Sequence, residues 1–460
     1  MIYFSSIKER GGILSNEYKS FLKELSKLMI PIAFQSFMLA AVAACDSIML
    51  GIVSQDALSA VSLASKIQFV QNIGIAGLVG GGMVISSQYL GKNDKEKVSN
   101  IFTIILRYSV LICVLFWALS FFIPTTLMRV FTNDSIMIEI GAKYLKISSW
   151  SYLIVGITQC YLMILKTLNK AVSSAVVSSI AVVINIVLNA VFIFGLLGFS
   201  KMEAQGAALA TVIARIIELV LALIVFKKGK FIKYKIIDIF KLDFLLEKEF
   251  WKVTRNLIFN EFVWGAGITI YSIVIGHLGN DATAANSIAS VVKDLVTSLC
   301  RGIGVGGGIM IGYKLGCNDF TNAKVYGDRL LKISFIYGLV CAAIILIVSP
   351  FVLNTMVLTD TAMNYLLIML IICSVYMIAK SINIAVINGI FYAGGDSKFD
   401  AYSLGVTMWG IIIPLALIGT FLVSWPVLVI YFIISMDEVI KIPWVLKHYK
   451  KYKWIKNITK

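Results

Sequence analysis

QYLGKND, residues 88–94, returns in the second half of the chain as YKLGCND, residues 313–319. The two glycines, Gly91 and Gly316, lie 225 positions apart, close to half of the 460 residues. The same offset pairs Gly51 with Gly276, Asp56 with Asp281, Ala57 with Ala282, Ser62 with Ser287, Ala64 with Ala289, Ser65 with Ser290, Gly77 with Gly302 and Gly81 with Gly306. One register without a gap over this stretch marks an internal duplication, so the fold is two copies of one unit.

Composition says what the unit is made of. Hydrophobic residues are 59% of the chain and charged ones 14%, with mean hydropathy +0.89; a soluble core of this size cannot hide so much apolar surface, which marks an integral membrane protein. A helix needs roughly 20 apolar residues to cross the hydrocarbon. Windows of that kind run approximately over 28–53, 58–88, 101–123, 144–165, 171–198, 206–226, 256–276, 283–312, 330–353, 362–391, 401–422 and 427–446. They lack period-two alternation and are too long for barrel strands. The expected fold class is therefore an all-α membrane protein with about twelve spans in two pseudo-symmetric six-helix lobes. An even helix count per copy gives both lobes one orientation, a parallel repeat about the membrane normal. The expected boundaries are a tail over 1–27, a first lobe over 28–226, a linker over 227–255, a second lobe over 256–446 and a basic tail over 447–460. Within the linker, FKLDFLLEKEFWKV at 240–253 alternates charge with apolar residues and reads as an interfacial helix.

The net charge of +16 is unevenly placed. Lys8, Arg10, Lys19, Lys23 and Lys27, the break from Lys92 to Lys97, the linker lysines 227, 228, 230, 233, 235, 241 and 248, the run from Lys314 to Arg329 and the tail after Lys447 all fall at one end. The alternate breaks, such as VSQDALS and VSWP, are poor in Lys and Arg. The positive-inside rule puts the termini and basic segments in the cytoplasm of a plasma-membrane protein. The basic charge thus reads as topology and attraction to anionic membrane lipids rather than nucleic-acid binding. The seven cysteines form no CxxC pair and only His277 and His448 are present, which offers no zinc, haem or iron-sulfur site. We expect no cofactor and a monomer.

An ionisable side chain deep in a span faces a cavity or a partner, and each lobe has one such acid. Asp46 interrupts AACDSIMLG about 10 Å from the end of the first span at 1.5 Å per residue. Burial disfavours a charged carboxyl, so Asp46 either takes up a proton or stays ionised beside a cation such as Na⁺. Asn185 and Asn189, four apart on one face of the fifth span, and Thr211 in the sixth supply further oxygens for a hard cation; interhelical hydrogen bonding is the alternative use of those asparagines. In the second lobe Glu261 sits beside Asn260 in the seventh span, the eighth carries Lys293, Asp294 and Arg301, and the tenth Lys380. Gln35, Asn260, Lys293, Asp294, Arg301 and Lys380 are the candidate lining of a substrate cavity, with mutual neutralisation of Lys293, Asp294 and Lys380 as the alternative. Arg215 with Glu218, and Asp437 and Glu438 with Lys441, read as simple pairs. The string GIGVGG at 302–307 matches a dinucleotide fingerprint but follows no strand, so it reads as close helix packing.

Taken together, PIAFQSFMLAAVAACDSIMLG, LSAVSLA, GGMVISSQYLGKND, NIVLNAVFIFGLLGFSKMEAQGAALAT, NEFVWGAG, GYKLGCND, GIFYAGGDSKF, the Trp409 to Pro414 stretch and KWIKNIT resemble the multidrug and toxic compound extrusion (MATE) family along nearly the whole chain. The resemblance implies a two-lobed antiporter that exports small organic compounds by alternating access in exchange for Na⁺ or H⁺. It maps the family's first-lobe cation site onto Asp46, Asn185, Asn189 and Thr211, and its seventh-span acid onto Glu261. Two departures stand out. Where some members have a tenth-span acid this chain has Ser381 beside Lys380, and a common eighth-span proline is Cys300 followed by Arg301. These cations leave anionic or zwitterionic substrates open. A flippase for lipid-linked precursors, gripping a pyrophosphate through Lys293, Arg301 and Lys380, is the rival reading. A membrane enzyme lacks a nucleophile-base pair or metal cluster to stand on.

Overall fold

The computed structural model describes the backbone of residues 2–230, 238–239, 241, 243–356 and 358–459, and side chains from residue 16 onward within these ranges. Lys8, Arg10, Lys233 and Lys235, counted above among the basic residues, lie outside the described side chains. The first lobe is built from α1 (Ile2–Val53), α2 (Gln55–Gly91), α3 (Lys95–Phe122), the short α4 (Pro124–Arg129), α5 (Ser135–Thr167), α6 (Ala171–Phe194) and α7 (Glu203–Gly229). The second contains α8 (Phe244–Gly276), α9 (Asn280–Gly316), α10 (Phe320–Thr355), α11 (Asp360–Asn383) with its π-helical continuation to Phe391, α12 (Lys398–Leu404), a π-helical segment over Gly405–Ile412, α13 (Ile413–Phe421), α14 (Val427–Ser435) and α15 (Asp437–Tyr449).

Eleven helices among the described residues are long and apolar enough to cross a membrane. The window at 427–446 is also helical, but α14 ends at Ser435 and α15 begins at Asp437 with buried Asp437, Glu438 and Lys441. These charges break the apolar run. Residues 244–253 form the first turns of α8, continuous with the seventh span instead of a separate interfacial helix; residues 240 and 242 lie outside the described set. The start of α8 is tied to the first lobe: Tyr89 donates to Glu249 at 2.9 Å, Arg107 pairs with Glu247, and Lys97 meets Asp243 at 3.4 Å.

Polar breaks stop and restart the helices by local hydrogen bonding. Ser54, Asp134, Asp243 and Thr359 each accept the backbone N–H of a residue two or three positions on, at the starts of α2, α5, α8 and α11. Such caps satisfy N–H groups that have no partner within the helix. The two copies of the LGxND motif do the same work twice. Asn93 and Asn318 both take φ of 58°, in the left-handed region, which asparagine tolerates better than most residues. Asp94 and Asp319 then cap α3 and α10 through Lys97 N (2.9 Å) and Asn322 N (3.3 Å).

The glycines explain why the duplicated motif lies where it does. A Cβ on Gly91 would stand 2.2 Å from the Tyr313 carbonyl oxygen, and one on Gly316 would stand 1.9 Å from that of Gln88. The two copies thus pack backbone against backbone across the lobe boundary. Higher in the seam Gly77 lies against Ile258 and Gly81 against Thr254, while their repeat mates Gly302 and Gly306 lie against Ala33 and Met29. Ala33 and Met29 are themselves 225 positions before Ile258 and Thr254, so α1·α9 and α2·α8 are symmetry-related contacts. The tail locks this end: Gln88 receives the Ile458 N–H at 2.8 Å and donates to the Ala393 carbonyl at 2.7 Å, Asn457 donates to Asn318 at 2.8 Å, and Trp454 is fully buried against Gly327 and Gly394. The seam contacts fall in the basic-end halves of α2, α8 and α9 and near the middle of α1. Beyond Ala33, α1 runs thirteen residues to Asp46, about 20 Å at 1.5 Å per residue.

Candidate functional site

The carboxylate of Asp46 on α1 accepts a hydrogen bond from the Asn189 side-chain amide of α6. Asn189 also donates to Asn185 Oδ1 at 3.2 Å, and Asn185 Nδ2 reaches Thr211 Oγ1 of α7 at 3.4 Å. The four residues predicted from sequence are thus one connected cluster drawn from three helices. Four-residue spacing puts both asparagines on one helix face, and Thr211 is turned in by its own bond to the Ala207 carbonyl at 2.9 Å. The buried Asn189 Oδ1 has no hydrogen-bond partner among the described residues. Buried polar atoms left unpaired cost stability, so this oxygen is a vacant acceptor beside a carboxylate.

The nearest cation does not clamp Asp46. Arg215 lies within Coulombic range of it, but its guanidinium is engaged with Glu218 at 2.6 Å. Glu218 in turn accepts from Ser178 at 2.8 Å, and Ser178 accepts from Gln35 at 2.7 Å. Arg215 and Glu218 therefore form a pair as read from their spacing. Gln35 is a correction to the cavity assignment: it is 2% exposed and ties α1 to α6 through Ser178 and Ser174.

The second lobe is organised differently. Lys380, assigned to the cavity wall from sequence, donates to Glu438 Oε1 at 2.7 Å, and Asn383 donates to Glu438 Oε2 at 2.7 Å. Lys441 approaches the same carboxylate at 3.8 Å, and Asp437 accepts the Glu438 backbone N–H at 2.7 Å. Two lysines and two acids balance each other inside the lobe. Lys380 is therefore neutralised by Glu438 on α15, not by Asp294, because the end of α11 packs against α15. Lys293 sits over the Tyr376 ring with its Nζ 5.6 Å from the centroid. Asn260 is also removed from the cavity lining: it is 3% exposed and donates to the Ser397 carbonyl and to Asp400, both at 3.1 Å. Asp400, which also accepts from Tyr392, was missed in the sequence because it stands at the polar edge of its span. Glu261 has Arg301, Asp400 and Lys380 within Coulombic range but no hydrogen bond or ion pair among the described residues. Asp294 and Arg301 are exposed on α9, likewise with no hydrogen bond or ion pair.

Cys300 and Cys341 approach to 3.7 Å between sulfurs as free thiols. No group of three or more His, Cys, Asp or Glu residues suited to a metal occurs among the described residues. The Asp46 cluster has one acid and neutral oxygens, a donor set that suits a monovalent hard cation or a proton.

Comparison with known proteins agrees with this architecture. The chain is 21% identical over 373 residues to the Bacillus subtilis protein named "Uncharacterized transporter YisQ", covering 81% of each chain, and 20% identical to the same organism's "Probable multidrug resistance protein YoeA", covering 79% of each. Among solved structures it resembles a MOP superfamily transporter from Pyrococcus furiosus described by the reverse polarity of its binding pocket, with TM-score 0.85, 17% identity and coverage of 95% of this chain and 96% of that one. It also resembles the Vibrio cholerae MATE transporter VcmN, with TM-score 0.84, 16% identity and coverage of 96% and 98%. The MatE family model matches twice, over residues 31–191 and 258–418, one match per lobe. The chain is therefore a transporter, not an enzyme, and belongs to the MATE family.

Proposed function

We propose that the protein is a secondary antiporter of the plasma membrane that exports organic compounds in exchange for Na⁺ or H⁺, with both termini in the cytoplasm. The observation that carries the reading is the Asp46 cluster: a half-buried carboxylate held by a neutral amide, with the neighbouring Arg215 committed to Glu218 and an unpaired Asn189 oxygen beside it. An acid with a built-in counter-cation has no need of a mobile one; Asp46 lacks it. With the basic end in the cytoplasm, the seam closed by Gly91 and Gly316 corresponds to an outward-open state. A cation entering from outside neutralises Asp46, changes what the first lobe binds, and biases the lobes toward the alternative arrangement. Coupling arises because ion and substrate interact differently with the two states. Glu261 serves as the second lobe's ionisable contact with the cavity.

The test is counterflow in proteoliposomes under imposed sodium or pH gradients, using wild type and Asp46→Asn. Gradient-driven substrate movement is expected in wild type and absent in the variant, while Glu261→Gln retains a reduced rate. Equal gradient-driven rates in wild type and Asp46→Asn overturn the reading.

A further inference from the structure

The inter-lobe face of α9 can be followed residue by residue. At the closed end Gly312 and Gly316 press against Ser87 and Gln88 of α2 in the opposite lobe. At about 100° per residue, the same face continues through Arg301, Asp294 and Ser287, all but Arg301 and Asp294 being uncharged. The other faces are occupied: Gly302 and Gly306 lie on α1, Gly307 on α10, and Gly304 and Gly308 on the π-helical end of the tenth span. Arg301, Asp294 and Ser287 are all exposed, so this stripe looks into the space between the lobes, and Arg301 is its first charge above the seam.

The duplication supplies a control. On α2 the face of Ser87 and Gly91 continues through Ala76, Phe69, Lys66 and Ser62, of which Ala76, Phe69 and Ser62 correspond to Arg301, Asp294 and Ser287 at the 225 offset. The first lobe thus offers a methyl group and an aromatic ring where the second offers a guanidinium and a carboxylate. Lys66, also exposed, stands within a turn of the level of Asp294 on the facing helix. Asp294 has Lys293, Arg301 and Lys380 within Coulombic range and Glu261 has Arg301, but neither acid forms an ion pair with Arg301 among the described residues; with Lys380 held by Glu438, these two acids stand against Arg301, Lys293 and Lys66, and the balance is positive. Lys166, from the first lobe, lies within Coulombic range of Glu218, which is itself paired with Arg215, and of Arg301, and has no ion pair among the described residues. Two cations from opposite lobes, neither of them in an ion pair, repel each other, and an anion placed between them relieves that repulsion.

We infer that Arg301 is the anchor for the negative group of an amphipathic organic anion, with Lys166 closing on it from the other lobe and the exposed Phe69 ring receiving the apolar body. Arginine suits this task because its planar, permanently charged fork binds carboxylate, sulfonate or phosphate oxygens in pairs. The inference rests on the transporter reading above and gives its substrate class. A soluble anion and a lipid-linked phosphate share this chemistry.

The test is binding to the purified full-length protein in detergent. Anisotropy of 5-carboxyfluorescein, an aromatic carboxylate, and of ethidium, an aromatic cation, is measured for wild type, Arg301→Ala, Arg301→Gln and Arg301→Lys, each confirmed as folded by its thermal unfolding. Wild type is expected to bind carboxyfluorescein in preference to ethidium. Both neutral variants should weaken carboxyfluorescein binding at least tenfold without weakening ethidium, and Arg301→Lys should recover part of the loss. Arg301-dependent scrambling of a fluorescent phosphatidic acid in liposomes, exceeding carboxyfluorescein transport, would assign the anion to a lipid source. The inference is overturned if wild type fails to bind carboxyfluorescein, if it prefers ethidium, or if the neutral variants bind the anion as tightly as wild type. Its failure is separable from failure of the antiport reading. Exchange of ethidium for sodium or protons without anion binding would sink only the substrate class, whereas anion binding with transport indifferent to both gradients would sink only the coupling.

Discussion

Each lobe sets an acid among its apolar helices, but Asp46 and Glu438 are held in opposite ways. Glu438 in the second lobe is held by Lys380 and Asn383, each at 2.7 Å, with Lys441 behind. Asp46 in the first is held by an amide, and the arginine nearest it is spoken for by Glu218. One lobe carries its counter-cation on its own chain; the other is arranged to borrow one. The duplication makes the contrast informative, because the position 225 after Asp46 is Tyr271, whose buried hydroxyl has no hydrogen-bond partner among the described residues. The ancestral scaffold is shared, and the placement of charge is not.

Breaking the second lobe's internal balance should have the largest effect on stability. Lys380→Met leaves Glu438 without its closest cation and is expected to cost about 3 to 5 kcal/mol, while Lys380→Met with Glu438→Gln should recover much of it, since replacing both partners removes the stranded charge. Thermal unfolding of the two variants checks this, and equal losses would show that Lys380 acts mainly by packing. Trp454→Ala tests the tail that fastens the closed seam. Removing a fully buried indole costs about 3 to 5 kcal/mol where the surroundings cannot collapse, and here it also frees the 456–459 segment from Gln88. Accessibility of a cysteine placed at Ser87 to a water-soluble maleimide should rise; unchanged labelling would mean that the seam closes without the tail.

Sharpening the first lobe's side of the contrast calls for a milder change. Asn189→Ala removes the amide that orients Asp46 and the vacant oxygen beside it. Gradient-driven transport is expected to fall about tenfold, equivalent to one hydrogen bond to a charged group, with the folded state retained. The smallest effect belongs to the repeated cap. Asp319→Ala should cost about 1 kcal/mol. The Asp319 carboxyl is held below its ordinary range chiefly by the Asn322 side-chain amide at 2.9 Å. Its contribution is therefore full above the unfolded carboxyl value of about 3.9, and it is lost as pH falls through the depressed folded value.

Much of this was legible in the residues because it depends on short-range chemistry or on the repeat. The LGxND motifs marked the duplication, and the structure adds that each holds a glycine contact, a left-handed asparagine and an aspartate cap within four positions. The 225 offset also predicts which seam contacts recur once one is known, since Gly77 on Ile258 implies Gly302 on Ala33. Asp46, Asn185, Asn189 and Thr211 could be grouped because their spans are apolar and each polar group stands out. Other relations were hidden for physical reasons. Lys380 and Glu438 are 58 positions apart and meet only through the packing of α11 on α15. Gln35 and Asn260 look like cavity residues in a list of polar positions, yet hydrogen bonding within a lobe draws both inward. Lys66 escaped notice because a lysine in a helix gives no sign of which face it occupies until neighbours fill the others.

Uptake of labelled sodium and of protons into proteoliposomes without any organic substrate, wild type beside Asp46→Asn, tests the central claim most directly. One of the two ions should enter with wild type and be reduced to the level of empty liposomes with Asp46→Asn. Uptake of either ion that is undiminished by the substitution would contradict the account.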